Sequence, residues 1–123
     1  MKVRYAVRVF AIKDDKIMCI RYKDINKDFF DIPGGKIEDG ETPLDAAKRE
    51  CHEELDNNAI FDETLFELVM EFDEIATSDG KTPIHFYIFK YNGLRYKKID
   101  LKNSSLKKSD VNGKNLQWIF NLF

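Results

Sequence analysis

Glu50, Glu53 and Glu54 stand about one helical turn apart in the run Arg49-Glu50-Cys51-His52-Glu53-Glu54. Carboxylates spaced this way repel one another unless a pKa rises or a cation joins them. Hard oxygen donors of this kind suit Mg²⁺ or Mn²⁺. On an isolated helix the same pattern would read as a solvated acidic face, so the preceding residues carry weight. Ile32-Pro33-Gly34-Gly35-Lys36 follows the aromatic pair Phe29-Phe30 and reads as a sharp loop, whose glycines allow positive φ and close backbone approach to a ligand. Such a loop can offer a carbonyl to a metal and amides to phosphate, with Lys36 as a compact countercharge.

The carboxylates need a helix to present them. Thr42, Pro43 and Asp45 predict its start: a hydroxyl N-cap, proline at the first helical position and a carboxylate near the positive end of the dipole. The helix is expected from about Pro43 to about Leu55. At the helical repeat, Leu44, Ala47, Cys51 and Leu55 fall on one apolar stripe, with Glu50, Glu53 and Glu54 on a separate, roughly opposed face.

Gly35, Glu41, Arg49, Glu50, Glu53 and Glu54 are spaced as glycine, five residues, glutamate, seven residues, Arg-Glu, two residues, Glu-Glu. Chance agreement at six such positions is on the order of 10⁻⁷ per starting point. The stretch from Pro33-Gly34-Gly35-Lys36-Ile37-Glu38 to Glu54 resembles a Nudix box of the MutT type, and the resemblance extends more weakly over most of the chain. It implies a Nudix-type α/β/α sandwich with a mixed β-sheet. It also implies that Glu50, Glu53 and Glu54, with the Gly35 carbonyl, hold Mg²⁺ or Mn²⁺, and that Glu41 pairs with Arg49 to brace loop against helix. Glu50 is then either a third ligand or the general base, with Glu53 the other candidate at the catalytic centre. Asp110 is the nearest match to a further carboxylate that the family often supplies before its tryptophan segment, here Leu116-Gln117-Trp118-Ile119; a solvated loop aspartate is the alternative. The family pattern ends in glycine and an aliphatic residue, where this chain has Asp56-Asn57-Asn58, residues that still tolerate a left-handed cap. Family members usually add a C-terminal helix on the other face of the sheet, but this chain stops five residues after Trp118. A second helical layer is therefore expected to be short or missing.

The implied activity is metal-dependent hydrolysis of a diphosphate linkage in a nucleoside diphosphate derivative, by the small-domain pattern a nucleoside triphosphate cleaved to monophosphate and pyrophosphate. The proline that accompanies ADP-ribose specificity and the tyrosine that accompanies dinucleoside polyphosphate specificity are absent at 72 to 75, which read Phe-Asp-Glu-Ile. The competing reading is a non-catalytic Nudix-like module that binds a nucleotide as a sensor. Asp56 and the short C-terminus point that way, and the intact Glu50, Glu53 and Glu54 point against it. Phe29, Phe30, Tyr87 and Phe89 are candidates for a base platform, though core packing is the preferred reading for most of them. His85 reads as a strand residue with a satisfied hydrogen bond. Cys51 beside His52 is not a catalytic pair, because helix neighbours point about 100° apart.

The 123 residues, 43% hydrophobic and 34% charged, suit one soluble domain spanning 1 to 123. Apolar runs are strand-sized and interrupted by charge, which argues against a membrane span. Two cysteines with no metal or disulfide spacing fit a reducing cytoplasm. Residues 1 to 89 carry 12 basic and 20 acidic side chains and residues 90 to 123 carry 8 and 2, so a part at −8 precedes a tail at +6. Arg95, Lys97, Lys98, Lys102, Lys107 and Lys108 read as a solvated loop more than a polyphosphate guide. The net charge of −2 with no basic-aromatic motif argues against nucleic acid as a partner.

Strands are expected at Val3 to Ile12, Ile17 to Tyr22, Phe29 to Ile32, Leu65 to Phe72 and Ile84 to Tyr91, with turns at Asp14-Asp15 and Asn92-Gly93. Residues 97 to 115 read as a mobile excursion. Trp118, Ile119, Phe120, Leu122 and Phe123 are too apolar for a free tail and are expected to return to the sheet as a short helix or strand, or to join a homodimer interface.

Overall fold

A computed structural model describes residues 2–13, 16–23, 25–26, 28–55, 60–93 and 114–120, with 13, 21–23 and 114–120 described in their backbone alone. Strand β1 (Arg4–Lys13) is central. Its alternation of small and β-branched residues buries Val7, Val9 and Ala11 on one face and Ala6 on the other. Along one edge it pairs in parallel with β6 (Pro83–Tyr91), from Arg4↔Ile84 to Ala11↔Tyr91. Its other edge is divided between β4 (Gly34–Lys36) at Ala6 to Arg8 and β2 (Lys16–Lys23) at Ile12 and Lys13. The antiparallel strand β5 (Phe66–Ile75) closes the far side of β6. A parallel pair requires a crossover connection, and the single described α-helix lies within it.

Helix α1 (Pro43–Glu54) starts where the capping residues place it. Thr42 Oγ1 accepts from Asp45 N at 3.1 Å, and Asp45 Oδ2 accepts from Thr42 N at 3.2 Å, a reciprocal box that satisfies two helix-end donors. Leu55 caps the C-terminus, its N–H donating to Cys51 O. The Asp56-Asn57-Asn58 exit lies outside the described residues. Ala46, Ala47, Cys51 and Leu55 pack on Val7, Val9, Ala11, Phe89 and Tyr91 to form the main core. Burial pushes the Cys51 thiol well above its ordinary range, as suits a packing residue and not a nucleophile. A short 3₁₀ turn at Glu63–Leu65 leads into β5.

The structure departs from the sequence expectations in three places. First, Glu50 is not on an exposed acidic face; it is 7% exposed and the one charged residue in the described core, because α1 presents its 46 and 50 positions inward. Second, Gly34 and Gly35 are not in a positive-φ loop. They belong to β4, and the described glycines with positive φ are Gly40 and Gly80. What β4 requires of them is space: a Cβ on Gly34 would collide with the Val7 carbonyl oxygen and come within 2.7 Å of Arg8 Nη1. Third, Phe29 and Phe30 on β3 (Asp28–Asp31) are roughly half exposed and not core. Of the alternatives for the apolar C-terminal run, the strand is the one seen: β7 (Lys114–Phe120) lies antiparallel to β2 from Lys16↔Phe120 to Tyr22↔Lys114. It takes one edge of β2, while β1 and β3 share the other. The result is a mixed sheet with one helical layer among the described residues. Leu122, Phe123, the expected turn at 14–15 and the expected excursion over 97 to 113 lie outside the described residues, while 114 and 115 belong to β7. No described helix is long and apolar enough to cross a membrane.

The contact at Gly34 gives a direct test. Gly34→Ala should cost about 1–3 kcal/mol in urea unfolding, as overpacking does. Removing the Arg8 side chain as well should not restore the loss, because the Val7 carbonyl is main chain. An unchanged unfolding midpoint would show that the two strands part more easily than the geometry implies.

Candidate active site

Arg49 is the centre of the site. Its Nε and Nη2 grip Glu41 in a fork, at 2.7 Å to Oε2 and 3.0 Å to Oε1. Nη2 also donates to the Lys36 carbonyl at 2.9 Å. Nη1 donates to Glu50 Oε1 at 2.9 Å and reaches Glu53 Oε2 at 3.3 Å, with Glu38 Oε1 at 3.8 Å. One planar guanidinium thus ties the helix to strand β4 and to the loop after it, a geometry lysine could not reproduce. The fork holds the Glu41 carboxyl below the usual carboxylate range, and Glu41, with Glu50 second, raises the Arg49 pKa further. Glu41 Oε1 also accepts from Glu38 N at 2.9 Å, which closes the turn.

Glu50 sits between Arg49 and Gly35. A Cβ on Gly35 would come within 2.5 Å of Glu50 Oε1, so the missing side chain is what admits the carboxylate. The flanking ladder bonds, Val9 N to Pro33 O at 2.8 Å and Ile37 N to Tyr5 O at 2.9 Å, make Val7 and Gly35 the hydrogen-bonded pair between them. The Gly35 carbonyl therefore faces β1 and keeps one lone pair for another partner. Glu53 is exposed and Glu54 half-buried on the same helix end. Among the described residues no three His, Cys, Asp or Glu side chains close into a metal cage; Glu50 and Glu53 gather on Arg49 Nη1 instead. The donor set nonetheless fits a hard divalent cation: neighbouring carboxylates and a carbonyl with a second lone pair, brought together where Gly35 has no side chain. Asp110 lies outside the described residues.

Lys36 is exposed, and its register opposite Ala6 puts it on the face of the β1–β4 ladder away from α1. Arg8, opposite Gly34, shares that face. Its guanidinium lies 5.5 Å from the Phe86 ring centroid, and its Nε is 4.0 Å from Asp31 Oδ1. Sequence reading passed over Arg8; the available signal was a charged residue inside the otherwise apolar run Ala6 to Ile12. Of the proposed base platform, Phe89 is buried in the core. Tyr87 and Tyr5 wall an open cleft of about 300 Å³ rimmed by Glu38, Asp39 and Glu41. His52 packs edge-on against Phe61, with centroids 5.0 Å apart, away from any role with Cys51.

The Nudix-domain family profile matches residues 2–114. No curated protein matches in sequence. Among solved structures, a Nudix hydrolase from Nitrosomonas europaea superposes with a TM-score of 0.65 at 20% identity, over 97% of this chain and 73% of that one. A mutator MutT protein from Bacillus halodurans gives 0.64 at 22% identity, over 95% and 68%. A MutT structure from work on Aliivibrio salmonicida and Vibrio cholerae gives 0.62 at 19%, over 97% and 81%. These likenesses speak to fold; the profile, which spans almost the whole chain, speaks to family. The chain belongs to the Nudix family.

Proposed function

We propose that this chain hydrolyses a nucleoside triphosphate to the monophosphate and pyrophosphate, using Mg²⁺ or Mn²⁺ held by Glu53, Glu54 and Glu50 with the Gly35 carbonyl, and with Asp110 as a further ligand. The observation that carries the reading is the convergence of Glu50 and Glu53 on one cationic nitrogen, Arg49 Nη1, beside the Gly35 gap. Glu50 and Glu53 thus stand close enough to share one cation. When bound, a divalent cation neutralises phosphate oxygens and acidifies and orients the attacking water. The chain's own groups do the rest. Lys36 and Arg8, on one face of the glycine strand, supply countercharge for the phosphates. Glu50, buried against Gly35, is either a ligand or the base that takes the water's proton. Glu41 and Arg49 hold β4 and the helix at fixed separation, so the carboxylates and the phosphate contacts keep one geometry. The bridging P–O bond breaks as the water oxygen bonds to phosphorus, and pyrophosphate leaves.

Product analysis on a panel of nucleoside diphosphate derivatives with Mg²⁺ or Mn²⁺ tests the substrate class. Release of monophosphate and pyrophosphate from triphosphates is expected; cleavage confined to other derivatives would overturn that part. Glu53→Gln and Glu54→Gln should each lower turnover by about 100-fold or more with the fold intact. Near wild-type rates at saturating Mg²⁺, or hydrolysis indifferent to a chelator, would refute the assignment.

Arg49 allows a separate check. Because it braces the site, Arg49→Ala should lose about 1.5–3 kcal/mol of stability, the usual worth of hydrogen bonds to charged groups, as well as activity. The Glu41 contribution should vanish in acid, since a carboxyl with a depressed folded pKa stabilises above its unfolded pKa and ceases to do so as pH falls through the folded value. Normal melting with selectively weakened substrate binding would place Arg49 on the ligand instead.

A further inference from the structure

His85, on β6, has both ring nitrogens against carboxylates of the neighbouring strand β5. Nδ1 is 2.7 Å from Asp73 Oδ1 and Nε2 is 2.8 Å from Glu71 Oε1. A neutral imidazole has one N–H and one lone pair, so it can donate to only one of the two; the other carboxylate would then face a lone pair. The arrangement is satisfied in full only by the imidazolium. Asp73 is the direct cross-strand partner of His85, and Glu71 sits one step along, opposite Tyr87.

We propose that His85, Glu71 and Asp73 form a proton-operated clamp that fastens the outer strand β5 to the sheet when His85 is charged and releases it as His85 loses its second proton. The inference is independent of the hydrolase reading.

The surroundings make the clamp consequential. Strand β5 is exposed or half-exposed along its whole length, pairs on one side only among the described residues, and has a register shift between Leu68 and Met70. It carries Glu67, Glu71, Asp73 and Glu74 with no basic residue, so its own charges push it away from a compact edge. The groups packed around the ring are Glu71 and Asp73 from β5, Tyr5 from β1 and Tyr87 from β6. Both tyrosines meet the imidazole edge-on, with centroids 6.0 Å and 4.9 Å away. They are also the wall of the cleft beside Glu41. A loosened β5 therefore takes Glu71, the cross-strand neighbour of Tyr87, away from that wall.

Hydrogen bonds donated to Glu71, then to Asp73, hold the His85 pKa above the usual histidine value. A folded-state pKa above the unfolded one means that the clamp's contribution is complete below the ordinary imidazole pKa. It disappears as pH climbs through the raised value.

The test combines ¹⁵N NMR of the His85 ring with amide-exchange protection across residues 66–75, at several pH values, in the wild type, His85→Gln and His85→Arg. Both ring nitrogens should keep their protons to a higher pH than a free imidazole does. Protection at 71–75 should exceed that of His85→Gln by about tenfold below the His85 titration and fall to the same level above it. The permanently charged His85→Arg should stay protected at both ends. A ring with a single proton at about pH 6, or equal protection in wild type and His85→Gln at low pH, would overturn the proposal. If His85→Gln does not fold, Asp73→Asn decides: it should lower the His85 titration midpoint, and an unmoved midpoint refutes the clamp.

Discussion

The Arg49–Glu41 fork is the contact on which the rest of the site depends. Helix α1 and strand β4 approach each other without a covalent tie beyond the loop 37–42, and the guanidinium spans the gap with five donors in one plane. Two go to Glu41, one to the Lys36 carbonyl, and the remaining nitrogen faces Glu50 and Glu53. Neither side can shift without breaking charged hydrogen bonds in a partly buried setting, where the unpaired remainder is costly.

The glycine pair is the second constraint, and it acts on two faces of the same short strand. Gly35 yields space to Glu50 on the helix side, while Gly34 yields space to Arg8 and the Val7 carbonyl on the other. A three-residue strand therefore brings an anion-rich face and a cation-bearing face within one strand's thickness of each other. In the function proposed above, a polyphosphate with a bound cation would meet both signs of charge close together there.

How much of this was legible in the sequence follows from the range of the interactions. The helix start was readable because Thr42, Pro43 and Asp45 act within one turn, and the strands expected at 3–12, 17–22 and 84–91 fall within a residue of those observed because alternation is local. The Glu41–Arg49 pairing is implied by the family resemblance, and the structure brings the two side chains together. The burial of Glu50 was not readable: it depends on how α1 is rotated against β4, a tertiary choice that periodicity leaves open by a residue or so. The glycines were read as turn-formers because that is their usual local role, whereas here their need comes from neighbours at positions 7, 8 and 50. The C-terminal apolar run was readable as something that must be covered, but whether it joins the sheet or lies on it is decided by the free edge of β2, which the sequence does not display.

The central claim is that the carboxylates gathered by Arg49 are a divalent cation site, and a Mn²⁺ titration followed by electron paramagnetic resonance reads this without any substrate. Glu53→Gln should weaken Mn²⁺ binding by about tenfold or more, as loss of a charged oxygen ligand does, while its melting temperature without metal stays near that of the wild type. Mn²⁺ affinity unchanged in both Glu53→Gln and Glu54→Gln would contradict the account.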